Sequence, residues 1–216
     1  MADFYPDILD QNQKTLLPRL ILLSKYGFYL AGGTALSLQM GHRTSVDFDF
    51  FTPKHFDSNA LYLELEKEFG DSVKKIGEEH DTLFVKISDV DVSFFWYKYE
   101  LIDNPVSFEE ITLSSIKDIS AMKLLAITGR PAVRDYIDIF YLLNIFSLDE
   151  IFSFAEAKYP NFNDYLALRA LTYFEDITEA EGKRPVKILD QSFSWDKAKM
   201  YIFEKVKTYQ LSKFKK

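Results

Sequence analysis

Two carboxylates stand one residue apart in the otherwise apolar segment VDFDF, residues 46–50. Because side chains alternate between the two faces of a strand, Asp47 and Asp49 are expected on the same face. Two carboxylates that close repel each other unless a cation lies between them or water screens them. The spacing therefore indicates either a site for Mg²⁺ or Mn²⁺ that substrate phosphates complete, or the solvated acidic face of an edge strand.

A phosphate-binding turn is the second candidate. Gly32 and Gly33 allow the backbone to approach a ligand closely, and Thr34 is expected to cap a short helix. The start of that helix would offer N–H groups and a positive dipole end to phosphate. A tight turn with a threonine cap explains the same three residues. In the following loop, Arg43 could contact a triphosphate or pair with Asp47.

A third carboxylate is expected on a later strand, VDVSFFW, residues 90–96. Asp91 and Ser93 share one face of this strand, and an aspartate among such apolar neighbours needs a partner. If this strand pairs beside the first, Asp91 completes a cluster of three carboxylates. If not, it belongs to a turn with Asp89. The aromatic residues 94–97 are interpreted as core rather than as a platform for a base.

Charged side chains inside a helical segment form the last candidate group. Lys123 lies within AMKLLAI, where a lysine is poorly placed unless it reaches a phosphate or a carboxylate. On the next helix, Asp138 is four residues from Arg134 and three from Asp135. These groups are expected to close over a nucleotide or to form salt bridges between helices. We assign Arg134 and Asp135 to the salt bridges and Lys123 to the site.

Two long segments occur in a fixed order, GGTALSLQMGHRTSVDFDFF at residues 32–51 and DISAMKLLAITGRPAVRDYIDIFYLL at residues 118–143. Both resemble the AbiEii/AbiGii-type nucleotidyltransferase toxins, a branch of the DNA-polymerase-β-like nucleotidyltransferase superfamily. The resemblance covers about residues 20–145. It implies a nucleotidyltransferase core, a helical domain, and metal-dependent transfer of a nucleotide from an NTP. Thr34 stands where the wider superfamily usually has serine, and threonine keeps the hydroxyl group of that serine.

The resemblance also implies roles for single residues. Asp47 and Asp49 match the family's metal-binding pair, which would hold two Mg²⁺ or Mn²⁺ ions, and Asp91 matches its third acidic position, a ligand or proton acceptor. Lys123 matches the family's lysine, which would neutralise charge on the triphosphate. The residues expected to bind the nucleotide are Gly32, Gly33, Thr34, Arg43, Lys123 and Asp138.

The expected acceptor is a hydroxyl of RNA, such as a tRNA end. The protein would act as the toxin of a toxin–antitoxin or phage-defence system, with a cognate antitoxin as partner. Two alternatives stay open. One is a catalytically inactive relative that binds nucleotides or partners, and the other is an enzyme that modifies a protein or a small molecule.

The composition of the chain limits the classes of protein to which it can belong. The chain has 216 residues, 47% of them hydrophobic, which is enough for a packed core and argues against disorder. Absent cysteines exclude disulfides and fit a cytoplasmic protein. No signal peptide and no apolar run of roughly 18 residues is visible, so no membrane association is expected.

Charge bears on the acceptor. The net charge of −7 argues against broad nucleic-acid binding. Residues 196–216, however, hold seven lysines against Asp196 and Glu204, a local balance of +5. This basic tail fits either a phosphate backbone or an ordinary solvated helix.

These patterns predict an α+β fold, a nucleotidyltransferase-like mixed sheet flanked by helices, over residues 1–112, and a helical domain over residues 113–216. Strands are predicted at residues 28–31, 46–50, 73–77, 83–87 and 91–97. Helices are predicted at residues 7–25, 34–40, 58–69, 114–128, 132–146, 149–158, 162–175 and 196–207.

Overall fold

The computed structural model describes residues 3–175 and 187–213. The chain forms two compact units, Met1–Ser115 and Ile116–Lys216. The sequence predicts a boundary after residue 112. The structure places it slightly later, because the strand Ile111–Leu113 pairs with the sheet of the first unit.

A mixed sheet organises the first unit. Its strands within the described residues are β1 (Tyr29–Ala31), β2 (Asp47–Thr52), β3 (Val73–Glu79), β4 (Thr82–Ile87), β5 (Val90–Trp96), β6 (Val106–Phe108) and β7 (Ile111–Leu113). Their order across the sheet is β3-β4-β5-β2-β1-β7-β6. The β2–β5 and β1–β7 pairs are parallel, and the other pairs are antiparallel. The predicted α+β class with a mixed sheet is confirmed.

The two faces of the central strands differ as their sequence alternation predicts. On one face, Phe48 and Phe50 of β2 lie beside Val92 and Phe94 of β5, and all four are buried. The rings of Phe50 and Phe94 stack with centroids 5.7 Å apart. Burying a side chain of this size contributes about 1.5–3 kcal/mol to folding. This apolar face fixes the register and leaves the aspartates on the other face.

Three helices precede or connect these strands, namely α1 (Gln11–Leu16), α2 (Gly32–Met40) and α3 (Ser58–Phe69). The single helix predicted over residues 7–25 is wrong, because only α1 is α-helical and Leu17–Tyr26 forms a 3-10 helix. Pro18 explains the change, since it lacks the N–H that would continue the α-helical hydrogen bonds. Gly27, with a φ of 70°, then ends the segment as predicted.

The hairpin formed by β6 and β7 was not predicted. Its strands have only three residues each, too few to show alternation. Its turn places Glu109 and Glu110 at positive φ values of 48° and 66°. Asn-Gly or Asp-Gly usually fills such positions, and their absence hides the hairpin from sequence reading.

The second unit is helical, as predicted. Its helices within the described residues are α4 (Ile116–Gly129), α5 (Val133–Leu142), α6 (Leu148–Lys158), α7 (Asp164–Thr172) and α8 (Trp195–Lys213). Helix α5 is shorter than the predicted range of 132–146, and α8 is longer than the predicted range of 196–207. Lys158 of α6 and Asp118 of α4 form an ion pair of 2.7 Å in which both side chains are fully buried.

The basic C-terminal segment forms most of α8. Residues 214–216, which include two of its lysines, lie outside the described residues. Across residues 3–175 and 187–213, every helix is too short or too polar to serve as a membrane-spanning segment.

Candidate active site

Strand pairing brings the three predicted carboxylates onto one face of the sheet. In the parallel register of β2 and β5, Asp47 lies beside Asp91, and Asp49 lies beside Ser93. The expectation that VDVSFFW pairs beside VDFDFF is therefore confirmed. Asp47 and Asp49 are half-buried, and Asp91 is exposed. The face thus presents negative charge to solvent within a short stretch of two neighbouring strands.

The start of α2 lies directly against this face. Antiparallel pairing of β1 with β2 places Ala31 beside Asp49, and the helix begins at the next residue, Gly32. Gly32 has a φ of 67°, and a Cβ added there would stand 3.1 Å from Asp49 Oδ2. Only glycine takes this conformation without strain and also allows so close an approach. The Asp49 carboxylate therefore lies beside the turn, against the space that a side chain at residue 32 would fill.

Thr34 does not cap the helix, so that prediction is wrong. The N-cap residue is Ala31, and Thr34 lies inside the first turn, where its side chain is buried. Its hydroxyl donates to the carbonyl oxygen of Asp47 at 2.5 Å and lies 2.7 Å from Ser45 Oγ. Thr34 therefore ties α2 to the start of β2. A contact between Thr34 and phosphate stays a prediction. The backbone N–H of Thr34 is a better donor for this contact than the hydroxyl, because the hydroxyl is buried.

Arg43 lies beneath the glycine turn. Its side chain is almost fully buried, and Nη1 donates to the carbonyl oxygen of Thr44 at 2.9 Å. A Cβ added at Gly33 would stand 2.5 Å from Arg43 Nη2. Gly33 therefore leaves the space that the guanidinium fills, and Arg43 supports the turn. A contact between Arg43 and a nucleotide stays a prediction.

Asp91 has a cationic neighbour that the sequence analysis missed. Lys86 of β4 faces Asp91 in the antiparallel register, and Lys86 Nζ lies 2.6 Å from Asp91 Oδ1. Asp47 Oδ1 lies 3.4 Å from Ser45 Oγ, a second missed neighbour. Strand alternation could have identified Ser45, which is two residues before Asp47. Lys86 could be identified only from the register of β4 with β5.

The residues fit a divalent cation in part. Asp47 and Asp49 supply two carboxylates on one face, the oxygen ligands that Mg²⁺ or Mn²⁺ takes, and phosphates and water would complete the coordination. Among residues 3–175 and 187–213, no three Asp, Glu or His side chains are arranged to hold a metal ion together. Asp91 is ion-paired with Lys86 through Oδ1. The fitting donor set is therefore Asp47 with Asp49.

The second predicted group forms a salt-bridge network within the helical unit. Lys123 Nζ of α4 lies 2.6 Å from Asp135 Oδ1 and 2.7 Å from Asp138 Oδ2, both on α5. All three side chains are buried. The salt bridges between helices that the spacing suggested are thus observed, and they include Lys123. The nucleotide contacts implied for Lys123 and Asp138 stay predictions.

Comparisons with known proteins identify the family. The model of the family "Nucleotidyl transferase AbiEii toxin, Type IV TA system" matches residues 16–199. A protein of Aquifex aeolicus (strain VF5), described as uncharacterized protein aq_aa25, is 33% identical over 208 residues, which are 93% of this chain and 97% of that protein.

Two solved structures share the fold. JHP933 from Helicobacter pylori superposes with a TM-score of 0.56 at 16% identity, over 99% of this chain and 100% of that one. MenT4, a nucleotidyltransferase toxin from Mycobacterium tuberculosis H37Rv, superposes with a TM-score of 0.55 at 16% identity, over 90% of this chain and 82% of that one. Since the family match spans most of the chain, the protein belongs to the AbiEii family of nucleotidyl transferase toxins of type IV toxin–antitoxin systems.

Proposed function

We propose that this nucleotidyltransferase moves a nucleoside monophosphate from an NTP to a hydroxyl of RNA, such as a tRNA end, and requires Mg²⁺ or Mn²⁺. One observation carries the proposal. The turn at Gly32 lies directly beside the carboxylate of Asp49, on the sheet face that also holds Asp47. A phosphate-binding backbone and an acidic pair are thereby adjacent.

Electrostatics supports the requirement for a cation. The first N–H groups of α2 favour a phosphate, because the helix dipole is positive at this end. A triphosphate at this position would lie beside Asp47 and Asp49, and anions so close repel each other. A divalent cation held by these two residues would neutralise both the triphosphate and the carboxylates. The glycine turn and the acidic pair are then parts of one site.

The chain's own groups have separate tasks in the transfer. Backbone N–H groups of Gly33 and Thr34 donate to phosphate oxygens and hold the triphosphate still. The acceptor hydroxyl attacks the α-phosphorus, a bond forms from its oxygen to phosphorus, and the bond to the bridging oxygen of pyrophosphate breaks. The hydroxyl proton passes to Asp91, which acts as general base. Lys86 orients Asp91 through their ion pair.

The biological role follows from the family. We propose a cytoplasmic toxin that an antitoxin encoded alongside it restrains, in a toxin–antitoxin or phage-defence system. MenT4 is named a nucleotidyltransferase toxin, which supports this role. Helix α8 offers Lys197, Lys205 and Lys207 as cations for an RNA backbone.

A transfer assay tests the proposal. The full chain is incubated with each labelled NTP, Mg²⁺ and total RNA, and Asp49→Asn is compared with Asp196→Asn, an exposed aspartate on α8. We expect label on RNA for the wild type and Asp196→Asn, and a loss of about a hundredfold or more for Asp49→Asn or after chelation of Mg²⁺. Label on protein or a small molecule instead would exclude RNA as the acceptor. No transfer to any acceptor would contradict the proposal.

A further inference from the structure

The sheet face that carries the aspartates changes character along its strands. Residues that face each other in the register form rows across β1, β2 and β5. Asp49 lies in a row with Ala31 and Ser93. The next row, two residues further along β2, consists of Tyr29, Phe51 and Phe95. We call these three residues the aromatic row.

The rings of the aromatic row pack side by side. The centroids of Phe51 and Phe95 are 5.2 Å apart with the planes 28° from parallel, and those of Tyr29 and Phe51 are 6.2 Å apart at 26°. Tyr97 adds an edge-on ring 5.4 Å from Phe51. Tyr29 is buried, whereas Phe51, Phe95 and Tyr97 keep part of their surface open. The row is ordered and still accessible.

Two members of this row, Phe51 and Phe95, lie outside the buried core, whereas Tyr29 belongs to it. Strand alternation divides the aromatic run of β5, so that Phe94 is buried in the core with Phe50, while Phe95 lies on the face of the aspartates. The expectation that residues 94–97 form core is correct for Phe94 and wrong for Trp96, which is exposed, while Phe95 lies half-buried on the opposite face. Partly exposed rings beside charged groups offer a surface for a planar apolar partner.

Spacing identifies that partner. Two residues along β2 separate Asp49 from Phe51, about 6.6 Å of strand, which is comparable to the span of a ribose between its phosphate and its base. In the row of Asp49, Ser93 has a small, half-buried side chain that leaves space for a sugar, whereas Ala31 is buried. Tyr29 lies on the strand that runs into Gly32, so the strand that ends at the glycine turn also carries one ring of the row.

We propose that the aromatic row is the surface on which the base of the bound NTP packs. The inference rests on the proposed function, since it requires the triphosphate at the glycine turn. Stacking on aromatic rings is available to every base, because each has a π-face. The row therefore favours nucleoside triphosphates over inorganic polyphosphate and discriminates little among the bases.

Binding measurements on the full chain test the inference. Affinities for an NTP and for inorganic tripolyphosphate, both with Mg²⁺, are measured by calorimetry for the wild type, Phe51→Leu and Phe95→Leu. We expect the leucine variants to bind the NTP about tenfold more weakly and tripolyphosphate unchanged. Phe51→Trp keeps a stacking ring and should retain NTP affinity. Phe94→Leu, the buried neighbour on the opposite face, should lower the melting temperature and leave NTP affinity unchanged.

Each other outcome has a definite meaning. Equal NTP affinity in the wild type and the leucine variants overturns the inference, and so does an equal loss of tripolyphosphate binding. Weaker binding of RNA with unchanged NTP affinity would assign the row to a base of the acceptor and also overturn it. If the wild type binds neither NTP nor tripolyphosphate, the proposed function fails as well. If the wild type binds both NTP and tripolyphosphate and the leucine variants bind them equally well, only the role of the aromatic row is refuted, and the proposed function stands.

Discussion

The two motif segments, residues 32–51 and 118–143, place their charged residues in opposite surroundings. In the sheet, Asp47 and Asp49 share one half-buried face and carry the same charge. In the helical unit, Lys123 is enclosed between Asp135 and Asp138 at 2.6 and 2.7 Å. The helical cluster supplies its own counter-charge and fixes α4 against α5. The sheet pair instead sets two like charges side by side on a half-buried face, an arrangement typical of a functional site.

A second ion pair strengthens the contrast. Lys158 and Asp118 are fully buried and directly paired, so their role is structural. Lys86 and Asp91, in the sheet, are paired across the surface and retain access to solvent. Charge that is matched and buried holds the helical unit together, whereas we propose that the charge on the sheet face serves the chemistry. The variants below test that division.

Breaking the buried pair should have the largest effect on stability. Lys158→Met leaves Asp118 buried without its counter-charge, which costs about 3–5 kcal/mol of unfolding free energy, measured by urea denaturation. Lys213→Met is the matched control, because it removes an exposed ion pair with Asp149 of similar length, 2.8 Å. The control should lose less than about 1 kcal/mol. Similar losses in both variants would contradict a structural role for the buried pair.

Substitutions at two glycines distinguish the effect of backbone strain from an effect on nucleotide transfer. Gly32 and Gly70 both have positive φ, but only Gly32 faces a carboxylate, while nothing lies within 4 Å of a Cβ at Gly70. Gly32→Ala and Gly70→Ala should each lose about 1–3 kcal/mol of stability from backbone strain. Only Gly32→Ala should also lose nucleotide transfer. Equal transfer activity of the two variants would show that the turn has no part in phosphate binding.

Removing one carboxylate from the sheet should change the unfolding free energy in the opposite direction to breaking the buried pair. Asp47→Asn relieves repulsion with Asp49 and should raise the unfolding free energy by up to about 1 kcal/mol while it abolishes transfer. Thermal denaturation without ligand gives the first quantity. A destabilisation of several kcal/mol would mean that Asp47 forms a stabilising interaction with an opposite charge, as Lys123 does.

The surface pair should have the smallest effect. Lys86→Met removes the neighbour of Asp91, and its exposed position limits the change in unfolding free energy to about 1 kcal/mol or less. Urea denaturation beside Lys158→Met gives a direct comparison. A loss as large as that of the buried pair would erase the distinction between the two regions.

Sequence reading worked where periodicity and local chemistry determine the result. Alternation in VDFDFF predicted the shared face of Asp47 and Asp49, and the apolar pattern predicted most helices. It failed where tertiary placement decides. The salt bridge of Lys86 with Asp91 depends on strand register, and the buried position of Arg43 depends on the space beside Gly33. Lys123 could not be assigned from AMKLLAI alone, because a carboxylate on the next helix and a phosphate satisfy a buried lysine equally well.

We propose that Asp47 and Asp49 hold a cation for the triphosphate of the NTP. The affinity for an NTP is measured by calorimetry with and without Mg²⁺, for the wild type and for the double variant Asp47→Asn/Asp49→Asn. Mg²⁺ should tighten binding to the wild type by about tenfold or more, and it should not tighten binding to the double variant. Equal enhancement by Mg²⁺ in both proteins, or none in the wild type, would contradict the account.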